Sequence, residues 1–394
     1  MSRPHTIAVA GAGPAGLAAA IALARQGREV VMHERFDAPA PVGAGFMLQP
    51  TGLAVMRALG LEAEIRALGQ PLTHIVGRRH PTGDLVLDVS YAHLRRSEAA
   101  LGVHRAALFD VLHRAALQSG VRFEAGFTAV DADEGRLIAA DGRRTPRFDL
   151  VVDATGARSL IAERRLGARR RALAFGALWA TTPWPRTADF DPSALQQVYR
   201  AADKMIGVLP VGRRPDAPQA LATFFWSLKT ADHARWRDAG LEAWKAEVLA
   251  FWPACAPVLE GITTPDQLTL ARYGHHTLAL PVAPGLAAIG DAAHATSPQL
   301  GQGVNMGLLD AFGLAEAVER EADRDRALWA YAAARRWHIR LYQALSLVFT
   351  PFYQADGKLL PWVRDHVLGR IARAPGAARL LAATVSGLLL DPRP

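Results

Sequence analysis

The amino-acid sequence predicts an α/β fold with two interleaved lobes and a helical C-terminal segment. Residues 5–34 have the pattern of strand, glycine-rich turn, helix and strand, which is typical of a parallel βαβ unit. Residues 175–228 alternate instead in short β segments separated by proline and glycine turns, which predicts a second, antiparallel sheet. Helical spacing dominates the chain from residue 304 onward.

Composition restricts the class of protein. The chain has 394 residues, of which 50% are hydrophobic and 21% are charged, so it is neither a disordered chain nor a disulfide scaffold. Its one cysteine, Cys255, excludes an intramolecular disulfide and a cysteine metal cluster, and we expect a reducing, cytoplasmic setting. The net charge is +8, but no basic helix or recognition motif accompanies it, so we expect no nucleic-acid partner.

Buried apolar runs and helical spacing predict the elements of the first lobe. Strands are expected at residues 5–10, 28–34, 121–124, 148–153 and 286–290, and helices at residues 15–26, 53–69, 106–119 and 304–322. A right-handed crossover through the first helix makes the first two strands parallel.

Short alternating segments predict the second lobe and a helical pattern predicts the C-terminal segment. Strands are expected at residues 196–200, 205–211 and 221–228, a helix at 231–252, and further helices at 325–350 and beyond, interrupted at Pro361 and Pro375. No run of about 18 apolar residues occurs, so no membrane-spanning helix is expected. The apolar stretch 341–353 is expected to pack in the core or to lie against a membrane or a partner protein.

The turn after the first strand carries a phosphate-binding motif. It reads Gly11-Ala12-Gly13-Pro14-Ala15-Gly16, a GxGxxG pattern in which the glycines permit a tight turn and close approach of a diphosphate to the helix N-terminus. Glu34 follows the last glycine by 18 residues, at the end of the second strand, where a carboxylate accepts hydrogen bonds from ribose hydroxyls. The motif predicts a Rossmann-like, dinucleotide-binding lobe and leaves FAD and NAD open, while Glu34 disfavours the 2′-phosphate of NADP.

A second motif occupies residues 290–307, GDAAHATSPQLGQGVNMG. Asp291 follows a predicted strand and suits a ribityl hydroxyl, Gly301 and Gly303 permit approach to a planar ring, and the helix start favours negative charge on a reduced flavin. The segment resembles the signature of class A flavoprotein monooxygenases, the para-hydroxybenzoate hydroxylase-like family, through residues 290–294, 298, 301–303, 305, 307, 310, 311 and 314. No ligand set accompanies His294, so no metal is expected.

Two further segments extend this resemblance. Gly43, Gly45, Pro50 and Gly52 match a family loop, with Thr51 in place of the usual Asn, and Arg105 heads an Arg-x-x-Leu motif that in the family lies near the FAD ribityl chain and diphosphate. Motifs and resemblance together predict a cofactor site for FAD made of Gly11, Gly13, Pro14, Ala15, Gly16, Glu34, Arg35, Gly45, Arg105, Asp291, Pro298, Gly301, Gly303, Val304 and Asn305.

The resemblance also divides the chain into lobes. Residues 1–75, 100–172 and 270–340 are expected to form a discontinuous FAD-binding lobe, residues 76–99 and 173–269 a substrate-binding β lobe, and residues 341–394 a C-terminal helical segment. The tail FTPFYQADGKLLPWVRD is expected to pack on the FAD-binding lobe, to cap the substrate entrance, or to contact a membrane or a partner protein.

The sequence departs from the family at one motif. The family carries Asp, then a later Arg, where this chain has Thr155 and Ala162, and the family's Asp helps to bind both FAD and the nicotinamide donor. Arg158, Arg164 and Arg165 are either replacement charges or a solvated basic turn. The identity of the donor, NADH or NADPH, stays open.

The resemblance implies the chemistry. NAD(P)H reduces the flavin, O2 adds to give a flavin hydroperoxide, and its distal oxygen attacks an electron-rich ring of an aromatic, quinone-like or polycyclic substrate. No pattern identifies a catalytic group; the candidates are Tyr199, Tyr273, His275 and His276. Phe46, Phe225 and Pro298 are candidates for the substrate pocket, and strand alternation allows Phe225 to share a face with neither Phe224 nor Trp226.

Two alternatives remain from the sequence. One is a related flavoprotein reductase or halogenase, although the chain lacks a Trp-x-Trp-x-Ile-Pro halogenase signature. The other is a flavin-binding accessory protein that recognises a partner without turnover. Reduction of the bound flavin by a nicotinamide donor, followed by reoxidation in air with product or peroxide, is expected of a monooxygenase. FAD binding without reduction by either donor would favour an accessory protein or an external reductase.

Overall fold

The computed structural model describes residues 3–37, 44–94, 98–371, 374–391 and 393. The strands, in chain order, are β1 (Thr6–Ala10), β2 (Glu29–His33), β3 (Phe46–Leu48), β4 (Gln70–Leu72), β5 (His74–Arg79), β6 (Leu85–Ser90), β7 (Ala100–Val103), β8 (Arg122–Glu124), β9 (Ala129–Asp133), β10 (Arg136–Ala139), β11 (Leu150–Asp153), β12 (Arg171–Pro183), β13 (Ala194–Arg200), β14 (Lys204–Pro210), β15 (Leu221–Lys229), β16 (Thr269–Thr277), β17 (Val282–Ala283), β18 (Leu286–Ala288) and β19 (His294–Ala295). The helices are α1 (Pro14–Arg25), α2 (Pro50–Ala58), α3 (Glu62–Leu68), α4 (Arg105–Gln118), α5 (Leu160–Leu166), α6 (His233–Ala239), α7 (Leu241–Phe251), α8 (Ala256–Glu260), α9 (Gly303–Arg320), α10 (Arg324–Tyr353), α11 (Leu359–Val363), α12 (Gly369–Ile371) and α13 (Pro375–Val385).

A six-stranded sheet forms the centre of the nucleotide lobe, in the order β17-β18-β11-β1-β2-β8. Its strands run parallel except for β17 at one edge, which pairs antiparallel with β18. Helix α1 packs against α4 and α9, and the apolar residues of β1 are buried beneath these helices. The predicted parallel Rossmann-like unit is therefore confirmed, and its ligand crevice lies at the carboxyl ends of the strands.

An eight-stranded sheet forms the second lobe, in the order β19-β16-β12-β15-β14-β13-β5-β6. Neighbouring strands are antiparallel, as predicted, except that β13 and β5 run parallel, because β5 comes from an earlier part of the chain and not from a hairpin with β13. On one face, Phe224 and Trp226 pack against Trp244 of α7, with ring centroids 5.8 and 6.3 Å apart. The other face carries Phe225, as strand alternation requires.

Two predicted helices are each divided by a glycine. The helix expected over residues 53–69 is α2 followed by α3, and Gly60 between them has φ +67°. The helix expected over residues 231–252 is α6 followed by α7, with Gly240 at φ +85°. Glycine adopts a positive φ without a Cβ penalty, so the chain can leave one helix at these residues before the next helix begins.

The C-terminal segment packs across the open face of the eight-stranded sheet. Helix α10 lies against α9, and α13 lies against β6. Pro375 begins α13, where a proline fits the first turn. The interruption predicted at Pro361 is wrong, because Pro361 lies inside α11. Within the described ranges, we find no helix whose length and apolar character would let it cross a membrane.

The division into lobes remains our proposal, and the strand bounds suggest slightly different boundaries from those predicted. Strand β5 begins at His74, two residues before the expected boundary, and β12 begins at Arg171. Strand β16 extends the eight-stranded sheet to Thr277, although residues 270–277 were expected in the FAD-binding lobe. We therefore propose that the chain returns to the nucleotide lobe after Thr277.

We predict that Trp244→Ala destabilises the protein by about 3–5 kcal/mol, because it removes a large buried side chain from the contact between α7 and the sheet. The measurement is the thermal unfolding temperature. Trp329→Ala is the matched control, since Trp329 is 60% exposed on α10. Equal losses of stability in the two variants would contradict this packing.

Candidate active site

The first glycine turn has the shape of a phosphate cradle. Gly11 has φ +101°, and a Cβ built on it would lie 2.5 Å from the carbonyl oxygen of Ala154. A Cβ on Gly16 would collide with the Gly11 carbonyl oxygen, so this glycine is required where α1 meets the turn. Gly13 differs, because nothing lies within 4 Å of its Cβ position. The open side of the turn is therefore at Gly13, where a diphosphate would approach.

The start of α1 leaves backbone donors available on this open side. Gly13 is its N-cap, Pro14 occupies the first turn, and no side chain caps the helix. The free N–H groups and the positive end of the helix dipole favour an anion. Ala15 belongs to the same first turn.

Glu34 is fixed at the end of β2 beside the cradle. Its carboxylate is buried and accepts hydrogen bonds from the backbone N–H groups of Ala12, at 2.7 Å, and Arg35, at 2.9 Å. The carboxylate thus joins β2 to the turn of β1 at the position expected for a ribose. The Arg35 side chain is exposed and lies over the Phe36 ring, 4.6 Å from its centroid.

The second glycine motif contacts the first directly. A Cβ on Gly290 would lie 3.1 Å from the Cβ of Ala15, and a Cβ on Gly307 would lie 3.2 Å from the same atom. Larger side chains at these glycines would push α9 away from α1. Helix α9 also lacks a side-chain cap at Gln302, so its N-terminal donors, like those of α1, are available to a ligand.

Opposite charges face each other in the cleft between the motifs. Asp291 and Arg105 are both solvent-accessible, yet many protein atoms lie around each side chain, as in a cleft. Burial raises the pKa of Asp291, against the opposing effect of His294 and Arg105. Burial lowers the pKa of Arg105, and Asp291 opposes this shift. Charged side chains that line a solvent-accessible cleft are expected where a polar ligand binds.

Two predicted cofactor residues hold loops together. Asn305 is fully buried; its Oδ1 accepts from the Gln49 N–H at 2.9 Å, and its Nδ2 donates to the carbonyls of Met47 and Gly301. The Gly45 N–H donates to Thr223 Oγ1 at 2.8 Å. Both residues position the loop that carries Phe46, and their polar groups are used within the protein. Gly43 lies outside the described residues.

A buried ion cluster supports the second motif from behind. Asp310 accepts from Arg335 Nε at 2.9 Å and from the Gly290 N–H at 3.0 Å, and His294 Nε2 lies 2.5 Å from it. Burial alone would raise the pKa of Asp310, but His294 and Arg335 outweigh burial and bring it to about 2. The motif contains Asp310 and His294, whereas no local pattern identifies Arg335. Among the described residues, no group of three metal-ligating side chains comes together.

A largely apolar cavity of about 160 Å³ adjoins the second glycine loop. It lies between the open face of the eight-stranded sheet, the loop from Pro298 to Gly301, and the C-terminal helices. Its lining includes Phe46, Met47, Ile75, Leu87, Val89, Ala177, Trp179, Leu195, Gln197, Tyr199, Met205, Leu209, Phe225, Tyr273, Pro298, Gln299, Leu300, Gly301, Phe349, Tyr353, Gln354, Leu381, Thr384 and Val385. The three predicted pocket residues, Phe46, Phe225 and Pro298, all lie in this wall.

The four candidate catalytic residues divide into two pairs. Tyr199 and Tyr273 line the cavity; the Tyr199 hydroxyl donates to Gln197 Oε1 and the Tyr273 hydroxyl accepts from Trp179 Nε1. Burial raises the pKa of both tyrosines, so they stay neutral. His275 and His276 do not line the cavity, and His276 Nε2 lies 3.2 Å from the Ala292 carbonyl oxygen. Only the structure shows that the cavity reaches Tyr273 but not the two histidines that follow it on β16.

Thr155, which stands where the family has Asp, makes local hydrogen bonds with its neighbours. The Thr155 hydroxyl donates to Asp153 Oδ1 at 2.7 Å, and Ser159 Oγ lies 2.5 Å from Asp153 Oδ2. Arg165 pairs with Asp131 at 2.6 Å on the neighbouring hairpin, and Arg164 approaches the same carboxylate at 3.9 Å. These arginines are exposed, so the structure favours a solvated basic turn over replacement charges.

Comparisons with known proteins agree with this site. The family described as "FAD binding domain" matches residues 5–343. The chain is 28% identical over 383 residues to the aurachin C monooxygenase/isomerase of Stigmatella aurantiaca, which covers 92% of this chain and 93% of that protein. It is 28% identical to a 2-heptyl-3-hydroxy-4(1H)-quinolone synthase of Mycobacteroides abscessus, over 96% of this chain and 97% of that protein.

The fold has close counterparts among solved structures. The structure of 2-methyl-3-hydroxypyridine-5-carboxylic acid oxygenase matches 98% of this chain and 96% of its own, with a TM-score of 0.81 at 22% identity. The chain belongs to the FAD binding domain family and, within it, to the class A FAD-dependent monooxygenases. It is accordingly an FAD-dependent oxidoreductase.

We predict that Gly13→Asp abolishes FAD retention, because the new carboxylate occupies the open side of the cradle and repels a diphosphate. The fold should persist, since the Cβ itself meets no atom. The measurement is the FAD released per protein after purification. Gly357→Asp is the control, because Gly357 also has an open Cβ position and lies far along the chain from both motifs. Normal FAD content in Gly13→Asp would contradict the cradle assignment.

We predict that Asp310→Asn costs about 3–5 kcal/mol of stability and weakens FAD retention, because it leaves Arg335 buried without its charge partner. The folded-state pKa of about 2 lies below the ordinary value, so the ionised carboxylate stabilises the protein fully above a pH of about 4 and less as the pH falls toward 2. The difference in Tm between wild type and variant should therefore narrow in acid. The control is Asp266→Asn, at an exposed pair with Arg237; a pH-independent difference would contradict this account.

Proposed function

We propose that this monooxygenase hydroxylates the ring of an aromatic substrate held in the apolar cavity, with NADH or NADPH as the electron donor. One observation carries the proposal: the loop from Pro298 to Gly301 is both a wall of the cavity and the lead into α9, and a Cβ built on Gly303, the first residue of α9, would lie 3.7 Å from Asp291 Oδ1. The reacting end of the cofactor and the ring of the substrate would therefore meet at this loop.

The proposed roles follow from the geometry. Gly11, Gly13 and the start of α1 bind the diphosphate, Glu34 the ribose, and Asp291 and Arg105 the polar middle of the cofactor. The FAD, when bound, supplies the activation of O2 that the side chains of the protein do not provide. The start of α9 stabilises negative charge on the ring system by its dipole.

The cavity contributes by excluding water. Its walls are mostly aliphatic and aromatic, and the C-terminal helices close it on one side. A dry site protects a reactive oxygen species from wasteful breakdown and strengthens each remaining hydrogen bond. Tyr199 and Tyr273 are the proposed hydrogen-bonding groups near the ring, and neither acts as a charged base because burial raises the pKa of both.

The names of the relatives support an aromatic substrate. One is named for aurachin C and another for a 2-heptyl-3-hydroxy-4(1H)-quinolone. We propose a substrate of the same general kind for this chain, an aromatic, quinone-like or polycyclic small molecule. A contact of the exposed C-terminal side chains, such as Leu347, Val348 and Leu359, with a membrane or a protein stays a prediction.

We predict that the purified protein is yellow and that anaerobic NADH or NADPH bleaches it, with colour restored by air. We expect this result because the proposed site places the flavin between the nucleotide-binding motifs and the cavity, where a donor reduces it and O2 reoxidises it. The measurement is flavin absorbance under anaerobic and then aerobic conditions, with products detected by mass spectrometry. Gly13→Asp serves as the flavin-free control. A bound flavin that neither donor reduces would contradict the proposal and favour an external reductase or an accessory protein.

A further inference from the structure

We infer that the substrate of the proposed hydroxylation is an uncharged aromatic molecule with a carbonyl next to an N–H or O–H group, and that Gln354 is the residue that recognises this edge. The inference rests on the proposed function and specifies its substrate class. Two independent observations support it: the absence of charge among the described lining residues, and a buried amide without partners on one of those residues.

The first observation is electrostatic. None of the described lining residues named above is Asp, Glu, Lys, Arg or His. The tyrosines do not supply a charge either, because burial raises the pKa of Tyr199, Tyr273 and Tyr353. The guanidinium of Arg364 lies over the rings of Tyr199 and Tyr353, at 4.8 and 5.2 Å, but it is outside the lining and paired with Asp365.

A cavity of this kind disfavours an anion. An ionised carboxylate that leaves water for an apolar site without a cationic partner loses far more solvation energy than hydrogen bonds to neutral groups return. The solved structure most useful for contrast is named for a pyridine carboxylic acid. Within the described part of the chain, the cavity lining offers such an acid no cation; the Arg105 guanidinium lies 5.7 Å from the ring centroid of Phe46 but is not itself in the lining. We therefore infer that the similarity of fold does not extend to that substrate class.

The second observation is an amide without partners. Gln354 lines the cavity and is 7% exposed, and neither its Oε1 nor its Nε2 has a hydrogen-bond partner in the described protein. An unsatisfied buried polar group lowers stability, so native proteins seldom keep one unless a ligand or water completes it. Gln197, in the same lining, is different, because its Oε1 accepts from the Tyr199 hydroxyl at 2.7 Å.

The backbone holds Gln354 in place. Gln354 is the C-cap of α10, and its N–H donates to the Thr350 carbonyl at 2.8 Å. The next residue, Ala355, donates to the Ala202 carbonyl at 3.1 Å, which ties the end of α10 to the turn between β13 and β14. The amide is therefore presented from a fixed point. Gln299, from the second glycine loop, adds a further unpartnered Nε2 to the lining.

The chemistry of the amide selects its ligand. A primary amide offers one acceptor and one donor side by side in a plane, which matches a carbonyl adjacent to N–H or O–H, as in a lactam or a hydroxyketone ring. The remaining lining, including Ile75, Leu87, Phe349 and Leu381, suits an apolar ring or chain. Gln354 also lies beyond residue 343, where the family match ends, as expected of a residue that sets the specificity of one member.

The test uses the FAD-loaded protein and three matched probes. These are 2-quinolone, which has adjacent C=O and N–H groups, its N-methyl derivative, which lacks the donor, and quinoline-2-carboxylate, which is an anion of similar size. Binding is measured by the change in flavin absorbance. We expect 2-quinolone to bind at least about tenfold more tightly than either of the other probes, a factor typical of one lost hydrogen bond or more.

Variants assign this preference to Gln354. Gln354→Leu should weaken 2-quinolone binding about tenfold and reduce its advantage over the N-methyl probe, with FAD content unchanged. The control is Gln26→Leu, since Gln26 also has an unpartnered Oε1 but lies at the end of α1, outside the cavity lining. Gln26→Leu should bind all three probes as the wild type does.

Several outcomes would overturn the inference. These are equal or tighter binding of the carboxylate, an unchanged preference in Gln354→Leu, and failure of 2-quinolone to perturb the flavin. Reduction of the flavin by NADH or NADPH, followed by reoxidation in air, is measured on the same samples without probe. Normal reduction together with any of these outcomes rejects the substrate class alone, whereas failure of reduction rejects the proposed function.

Discussion

The contact between the first turns of α1 and α9 determines where everything else in the site lies. The Cβ of Ala15 packs so closely against Gly290 and Gly307 that a Cβ on either glycine would lie only 3.1 or 3.2 Å from it. Two helix N-termini without side-chain caps are thereby held close together, and we propose that their positive ends serve one cofactor cleft. A long anionic cofactor satisfies both ends at once, with its ribose at Glu34 and its ring system near the loop from Pro298 to Gly301.

Charge is distributed unequally between the two lobes. The nucleotide lobe contains Arg105 and Asp291 in the cleft, and behind them the buried cluster of Asp310, His294 and Arg335. The cavity of the substrate lobe has a neutral lining. This division suits the two tasks, because a diphosphate is bound by charges and dipoles, whereas oxygen transfer to an aromatic ring benefits from a dry and uncharged space.

The C-terminal segment completes the cavity and lies outside the part shared with the family. The matched region ends at residue 343, and Phe349, Tyr353, Gln354 and Leu381 come after it. The part matched by the family therefore provides the cofactor site and the sheet, and the segment after residue 343 provides the closing wall. A family of enzymes with one cofactor and many substrates is expected to place its differences in such a wall.

The sequence by itself determined the dinucleotide site and the parallel unit, because glycine turns, strand periodicity and the position of Glu34 are local properties of the chain; the choice of FAD came from the second motif and its resemblance to a known family. It predicted the antiparallel sheet for the same reason, and it missed the breaks at Gly60 and Gly240, since a single glycine inside a helical pattern is compatible with either outcome. Only the tertiary structure separated Tyr199 and Tyr273 from His275 and His276, and only it identified Arg335 and Gln354. Whether a buried polar atom has a partner depends on residues distant in the chain, and no local pattern contains that information.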